Sequence, residues 1–528
     1  MKAAATAEPA APRGASPADR TEPAAPRVAS PAGRTEPAAP RGASPADRTG
    51  PAAPRASGPA DRTEPATVPG GGHPSALLDW GRLQALVAAS EPRPSQGWVE
   101  EVVGLAVEAR GPVSSLGELC WIHRQGLSPV PAEVVGFRGP RTLLMPLGDA
   151  RAIRPGNRVE ATGRGFVVGV GEGLLGRVLD GLGRPLDGLG PVAAEAWYPA
   201  EADPPPPLSR RPIREPLPVG VRAIDALLTC GRGQRVGIFA GSGVGKSTLL
   251  AMMTRHTAAD VVVVALIGER NREVRDFVDH HLAGARRRTV VVAATADRPA
   301  LVRIKAAQVA TAIAEFFRDR GRHVLLVMDS VTRYAMALRE VGLAVGEPPA
   351  TRGYPPSVFA ALPRLLERAG TGPRGSITGF YTVLVDGDDF TEPIADAVRG
   401  TLDGHIVLSR QLAEEGQFPA VDVLASVSRL MPELVEPAHW AAAQRLRRWL
   451  GAYREARDLV EIGAYQRGSN PDVDRALERM AAIRAFLSQG RDEASDFPEA
   501  VARLHQVAGG APEGEDEARA DPRARATA

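Results

Sequence analysis

The feature that most constrains this chain is the octapeptide AGSGVGKS, Ala240–Ser247, set between the apolar run RVGIFA (235–240) and the helix-forming stretch STLLAMMTRH (247–256). A strand that turns through glycines straight into a helix leaves few folds open. Gly241, Gly243 and Gly245 let successive backbone N–H groups curl inward as an anion nest, and the N-terminus of the following helix adds its dipole. Ser242, Val244 and Thr248 complete the nucleotide-binding stretch. Lys246 reaches the β- and γ-phosphates, and Ser247 carries the short hydroxyl that a Mg²⁺ ligand requires here. The strict pattern starts with Gly where this chain has Ala240, but the positions that curl the backbone come later. The loop predicts binding of ATP with Mg²⁺.

The strands around it belong to the same design. VVVVALI (261–267), TVVVAA (289–294), HVLLVMD (323–329), SITGFYTVLV (376–385) and GHIVLS (404–409) are Val/Ile/Leu-rich, and helices such as RIKAAQVATAIAEFFRDRG lie between the earlier ones. Parallel strands buried on both faces with crossover helices make an α/β, doubly wound core. Upstream, short apolar runs broken by Gly, Pro and Asn from Trp98 to about Val170 predict a small N-terminal antiparallel β-barrel. Between barrel and core, GRVLDGLGRPLDGLGP (176–191) and ADPPPP (202–207) read as a connection that cannot continue a helix or central strand. Beyond Pro437 the pattern turns helical, which predicts a C-terminal helical domain.

Residues 8–63 are four near-copies of one fourteen-residue unit, EPAAPRGASPADRT and its variants. Ala and Pro without large apolar side chains cannot bury a core by stacking, so the repeats predict an extended, disordered tail. A short amphipathic helix is expected over 75–90. The expected organisation is a repeat tail over 1–72, helix and linker over 73–96, barrel over 97–172, ATPase core over 173–436, helical domain over 437–508 and a charged tail over 509–528.

The 64 basic and 62 acidic residues leave a formal charge of +2, so there is no one-signed field of the kind a general nucleic-acid binder shows. Cys120 and Cys230 are the only cysteines, far apart, and predict free thiols in a reducing compartment. His280 and His281 lack metal-ligand spacing and read as a solvated helix face. No apolar run has the length of a transmembrane helix or the character of a signal peptide, which predicts a cytoplasmic protein.

Three carboxylates compete for the chemistry. Asp329 ends the strand HVLLVMD, where ligands of open α/β sheets bind, and is the expected water-mediated holder of Mg²⁺; taken alone, an Asp there reads as a helix cap, a job that Ser330 or Thr332 could share. Glu269, two residues past VVVVALI, would stand at the same sheet edge as general base. Glu273 competes with it but falls in the first turn of a helix, where the dipole explains a negative charge.

AGSGVGKST, LIGERNREVRDF, HVLLVMDSVTRYAMALRE, GEPPATRGYPPSVFAALPRLLERAG, EPIADAVRGTLDGHIVLSRQLAE and FPAVDVLASVSRL together resemble the flagellar and type III secretion export ATPases, relatives of the rotary ATP synthase catalytic subunit. The resemblance runs from about residue 97 to about 505. It implies a RecA-like P-loop NTPase core and a homohexamer with ATP sites between subunits. Arg429 matches the arginine finger supplied by a neighbouring subunit, and Phe418 the aromatic that stacks on adenine. Arg270 and Arg333 match basic residues lining the site, while Asn271 stands where many relatives have Gly. The loop with Tyr354 between Gly353 and Pro355 resembles a segment facing the ring's central channel; by its residues alone it reads equally as a rigid surface turn.

The implied activity is ATP hydrolysis that drives chaperone release and unfolding of exported proteins. The implied partners are the chain itself, a stator or regulator coiled coil, a central-stalk coiled coil, export substrates with their chaperones and a membrane export gate at the inner membrane. Three alternatives share the core fold. A non-catalytic ring subunit would lack the base at Glu269. An RNA-translocating terminator would need a basic, aromatic groove that residues 98–170 do not show. The ATP synthase subunit itself carries a C-terminal acidic lever motif that is absent here.

Overall fold

The computed structural model describes Gln84 and residues 95–282, 284–385 and 390–509. The repeats, the helix expected over 75–90 (Gln84 apart) and the C-terminal tail beyond Gly509 lie outside the described residues.

The first six strands are β1 (Gln96–Val103), β2 (Ala106–Arg110), β3 (Glu118–Arg124), β4 (Leu127–Arg138), β5 (Arg141–Pro146) and β6 (Arg158–Gly165). They close into a barrel in the order β1-β2-β5-β4-β3-β6, with β1 pairing antiparallel to both β2 and β6. Alternation sends Val99, Val107, Cys120, Ile122, Val134, Leu144 and Val159 inward to a small core. Cys120 is wholly enclosed there, and burial pushes its thiol up to about 12.

The connection departs from its expected form. β7 (Val167–Val170), read as the last barrel strand, leaves the barrel and pairs with β9 (Ala196–Pro199) as a separate ribbon. Between them β8 (Val178–Asp180), inside the presumed linker, pairs parallel with the core sheet and forms its edge. Three residues suffice because an edge strand needs one partner.

The core contains α1 (Arg222–Leu227), β10 (Arg235–Ala240), α2 (Lys246–His256), β11 (Val261–Ile267), α3 (Asn271–Asp276), β12 (Thr289–Ala294), α4 (Ala300–Asp319), β13 (His323–Asp329), α5 (Val331–Ala344), α6 (Pro356–Leu366), β14 (Gly370–Thr371), β15 (Ser376–Leu384), α7 (Pro393–Thr401), β16 (Gly404–Leu408), α8 (Arg410–Glu414) and β17 (Val421–Ser428). The sheet order is β17-β16-β10-β15-β13-β11-β12-β8, with β14 paired to β15. The main strands run parallel; β17 and β14 are antiparallel.

Period-two alternation splits β11 between two cores. Val261, Val263, Ala265 and Ile267 pack with α4, α5, α6 and α7, while Val262, Val264 and Leu266 pack with α1 and α2. The second core also takes in the C-terminal helices that follow the short α9 (Met431–Leu434): α10 (Pro437–Glu461), α11 (Pro471–Leu487) and α12 (Phe497–Val507). Leu446, Trp449, Ile483, Phe486 and Leu504 close over the same apolar layer as Val236 and Ile238 of the phosphate-loop strand. The helical domain is therefore not an independently cored bundle. Among the described residues no helix is long and apolar enough to cross a membrane.

Candidate active site

Three strand ends meet at one edge of the sheet. β10 delivers the glycine-rich loop, β11 delivers Glu269 and β13 delivers Asp329. The loop turns where the chain has no Cβ: Gly243 and Gly245 sit at φ +81° and +90°, and Gly245 is the left-handed residue just before Lys246 opens α2. Gly241 and Val244 are buried and anchor the loop; Ser242, Gly243, Ser247 and Thr248 are exposed toward solvent.

Lys246 bridges the other two strand ends. Its Nζ lies 2.5 Å from Asp329 Oδ1 and 3.6 Å from Glu269 Oε1. Asp329 also accepts a hydrogen bond from Thr382 Oγ1 on β15 at 2.7 Å. The next helix does not draw on Asp329 for its cap, because Ser330 Oγ accepts from the Arg333 backbone N–H. Ser330 thus leaves Asp329 to the site.

The side chains of Lys246, Glu269 and Asp329 are 12%, 14% and 5% exposed, so their charges act through little water. Burial pulls Lys246 down, but the carboxylates of Asp329 and Glu269 override it and hold its pKa above the usual value. Burial, reinforced by the Asp329 charge, raises Glu269 to about 7, against the opposing pull of Lys246. A hydrogen bond shared with Glu269 depresses Glu273, so Glu273 takes part in the electrostatics of the site and is more than a first-turn anion. Glu269 Oε1 is buried with no hydrogen-bond partner among the described residues.

The remaining expected residues divide sharply. The Phe418 ring reaches the loop, 3.5 Å from where a Cβ on Gly245 would stand, and is 47% exposed. Arg333 lies against Gly268, whose positive φ and missing Cβ admit the arginine stem, and its Nε is buried with no hydrogen-bond partner among the described residues. Arg270 points outward, 83% exposed, 3.7 Å from Glu273. Arg429 is not at this edge at all. It follows the C-terminal end of β17, where Ser428 pairs with Gly404, which in turn pairs with Val236 at the start of β10. That is a strand length, on the order of 15 Å, from the end of β10 that carries the loop.

Two other expectations change in detail. His280 is exposed beside Asp276, but His281 turns back edge-on to the Phe277 ring, so the pair is not a uniform solvated face. Tyr354 is buried against Phe359 and under the Arg339 guanidinium; it anchors its loop while Thr351 and Arg352 are exposed. Thr382 had no signal in the sequence beyond a hydroxyl inside an apolar strand.

Family models match three consecutive stretches: the β-barrel domain of the ATP synthase alpha/beta family over 99–163, its nucleotide-binding domain over 220–428, and the T3SS EscN ATPase C-terminal domain over 435–506. The flagellum-specific ATP synthase of Bacillus subtilis (strain 168) is 54% identical over 418 residues, 78% of this chain and 95% of that protein. The type 3 secretion system ATPase of Xanthomonas euvesicatoria is 53% identical over 413 residues, 78% of this chain and 93% of that protein. The solved structure of the assembled ATPase EscN from the enteropathogenic E. coli type III secretion system superposes with a TM-score of 0.74 at 45% identity, covering 78% of this chain and 100% of that one. A second EscN structure, in complex with its central stalk EscO, gives a TM-score of 0.73 at 44% identity and the same coverage. The barrel, the loop with its two carboxylate strands and the helical C-terminus are thus accounted for together: this chain belongs to the family of flagellar and type III secretion export ATPases.

Proposed function

We propose that this chain hydrolyses ATP at sites shared between copies of itself and so powers protein export through a flagellar or injectisome apparatus. The observation that carries the shared site is the position of Arg429, at the end of the sheet opposite the loop it would serve. A chain cannot bend its own sheet to close that gap, whereas a neighbour in a closed ring can present the residue. EscN is described as assembled and in complex with a central stalk. By likeness, this chain would form a homohexamer around a stalk coiled coil, engage a stator or regulator coiled coil, and act on export substrates, their chaperones and a membrane export gate. The work would be done in the cytoplasm, at the inner membrane periphery.

In this reading the backbone N–H groups of 241–247 receive the phosphates, and Lys246 transfers its attraction from Asp329 and Glu269 to the γ-phosphate. Phe418 stacks on the adenine. Glu269, freed of Lys246, faces the water that attacks phosphorus and takes its proton; a carboxylate titrating near neutrality is matched to that task. Arg333 and Arg270 add positive charge at the rim. Hydroxyl and carboxylate oxygens are the hard donors Mg²⁺ requires, and the unpartnered Oε1 of Glu269 and the freed Asp329 fit a hydrated ion; Ser247 would hold it directly and Asp329 through water. When bound, Mg²⁺ neutralises charge on the β- and γ-phosphate oxygens.

Arg429→Ala should cut ATP turnover by about 10³-fold or more. Mixing it with Lys246→Ala, itself inactive, should restore part of the activity, because a Lys246→Ala subunit can offer its intact Arg429 to an intact loop next door. Measured phosphate release that stays at the level of the separate variants at every mixing ratio would overturn the trans arrangement.

A further inference from the structure

The carbonyl of Phe418 accepts a hydrogen bond from the backbone N–H of Gln489 at 2.8 Å. Gln489 lies in the connection just past α11 of the helical domain and is 5% exposed. Its amide is fully used. Oε1 accepts from the Arg222 backbone N–H at 2.8 Å, and Nε2 donates to the carbonyls of Gly220 and Glu493, both at 2.9 Å. The Arg222 guanidinium, itself buried, reaches back to the Glu493 carboxylate at 2.5 Å and to the Ser488 carbonyl at 3.3 Å.

Three distant stretches are joined in this way: 220–222 ahead of α1, 488–493 after α11, and Phe418 before β17. Phe418 is half exposed, and its ring lies 3.5 Å from where a Cβ on Gly245 would stand. What fixes the ring is therefore the backbone behind it, and that backbone is held by a segment of the helical domain.

We propose that Gln489 is a positioning residue for the nucleotide base: its amide locks 488–493 onto 220–222, and the locked segment holds Phe418 where adenine stacks. The inference rests on the base-stacking reading of Phe418. It makes base affinity and the seating of the C-terminal helices one quantity, so anything that shifts those helices changes how tightly the base is held. Removing the amide leaves the buried Arg222 N–H and the buried Gly220 carbonyl without this partner, releases the Glu493 carbonyl and frees the segment. The ring must then be ordered at the moment of binding, which weakens the nucleotide without touching the phosphate site.

The test compares ATP with inorganic tripolyphosphate, each with Mg²⁺, on the full chain. Gln489→Ala should weaken ATP about tenfold and raise KM, keep kcat within about threefold, and leave tripolyphosphate within about twofold, because only ATP uses the base site. Phe418→Ala should show the same selectivity, and the double variant should be no weaker than Phe418→Ala alone, since both act through one ring. Glu493→Gln keeps the Gln489 amide and weakens the carboxylate's hold on Arg222, Arg503 and the Gly490 N–H; it should give a smaller loss of the same selectivity, so the test stands even if Gln489→Ala fails to fold. Equal losses for both ligands, or additive effects in the double variant, would overturn the role of Gln489. An ATP affinity unchanged by Phe418→Ala would instead overturn the base-stacking reading itself.

Discussion

Of 64 basic residues in this chain only three are lysines, Lys2, Lys246 and Lys305, and the last two occupy sites that look alike on paper. Lys246 has its Nζ 2.5 Å from Asp329, and Lys305 has its Nζ 2.5 Å from Glu133. Both pairs are nearly sealed from water. The surroundings separate them. Lys246 begins a helix, beside exposed loop residues, and faces a second carboxylate at 3.6 Å. Lys305 lies inside α4, 3% exposed, and its partner comes from β4 of the barrel, the two together lining one side of a cavity of about 590 Å³ with Gln308 and Tyr334. In the proposed function one pair exchanges its carboxylates for a phosphate; the other ties barrel to core. A buried lysine–carboxylate pair is thus not in itself a sign of catalysis. A second acid and an open helix N-terminus make the difference.

The sharpest way to break this comparison is substitution of each lysine. Lys246→Ala should lower turnover by at least about 10²–10³-fold while the protein stays folded, since it removes charge stabilisation where charge develops. Lys305→Met should leave kcat/KM within about twofold of the parent. If phosphate-release assays ranked the two the other way, the division into site and seam would fail.

Glu269→Gln comes next. Turnover should fall about 10²–10⁴-fold with nucleotide affinity near normal, and a variant retaining parental turnover would remove the base from Glu269.

At the seam the effect should be on stability. Lys305→Met should cost about 3–5 kcal/mol, because it strands Glu133. Burial already raises the Glu133 pKa, against the pull of Lys305. A carboxyl whose folded pKa is raised favours the fold at low pH and opposes it as pH rises, so the loss should grow from pH 5 to pH 8. Glu133→Gln added to Lys305→Met should recover much of it. Denaturant unfolding at the two pH values measures both, and a pH-independent loss would refute the assignment.

The smallest expected effect concerns Glu273. With Glu269 raised to about 7, kcat/KM should rise with pH through that region as the base loses its proton. Glu273 pushes Glu269 upward by a hydrogen bond and by its charge, so Glu273→Gln should move the acidic limb to lower pH, by less than about one unit. A limb that does not move, or moves up, would separate Glu273 from the base.

Much of the site was legible because its signals are local. HVLLVMD is a strand over the residues expected, with Asp329 at its end, and the glycines of the loop take the left-handed angles for which they are needed. Other features had no local signal. The three residues of β8 are strand only because β12 offers an edge, so a segment rich in Gly and Pro read as linker. Thr382 matters because β15 lies between β10 and β13 in the sheet. Gln489 reaches Gly220 and Arg222 across more than half the chain, and nothing near it in sequence announces that contact.

The sequence by itself determined the α/β core, the phosphate loop, the barrel and the helical C-terminus, since periodicity, glycine placement and strand composition act over a few residues at a time. Only the tertiary structure decided which charges meet. Strand order placed Lys246, Asp329 and Glu269 together, strand direction sent Arg429 to the opposite end, and packing made the C-terminal helices part of the same core as the phosphate-loop strand. The physical reason is that side-chain chemistry is a property of residues, while distance between strands is a property of how the whole sheet is ordered.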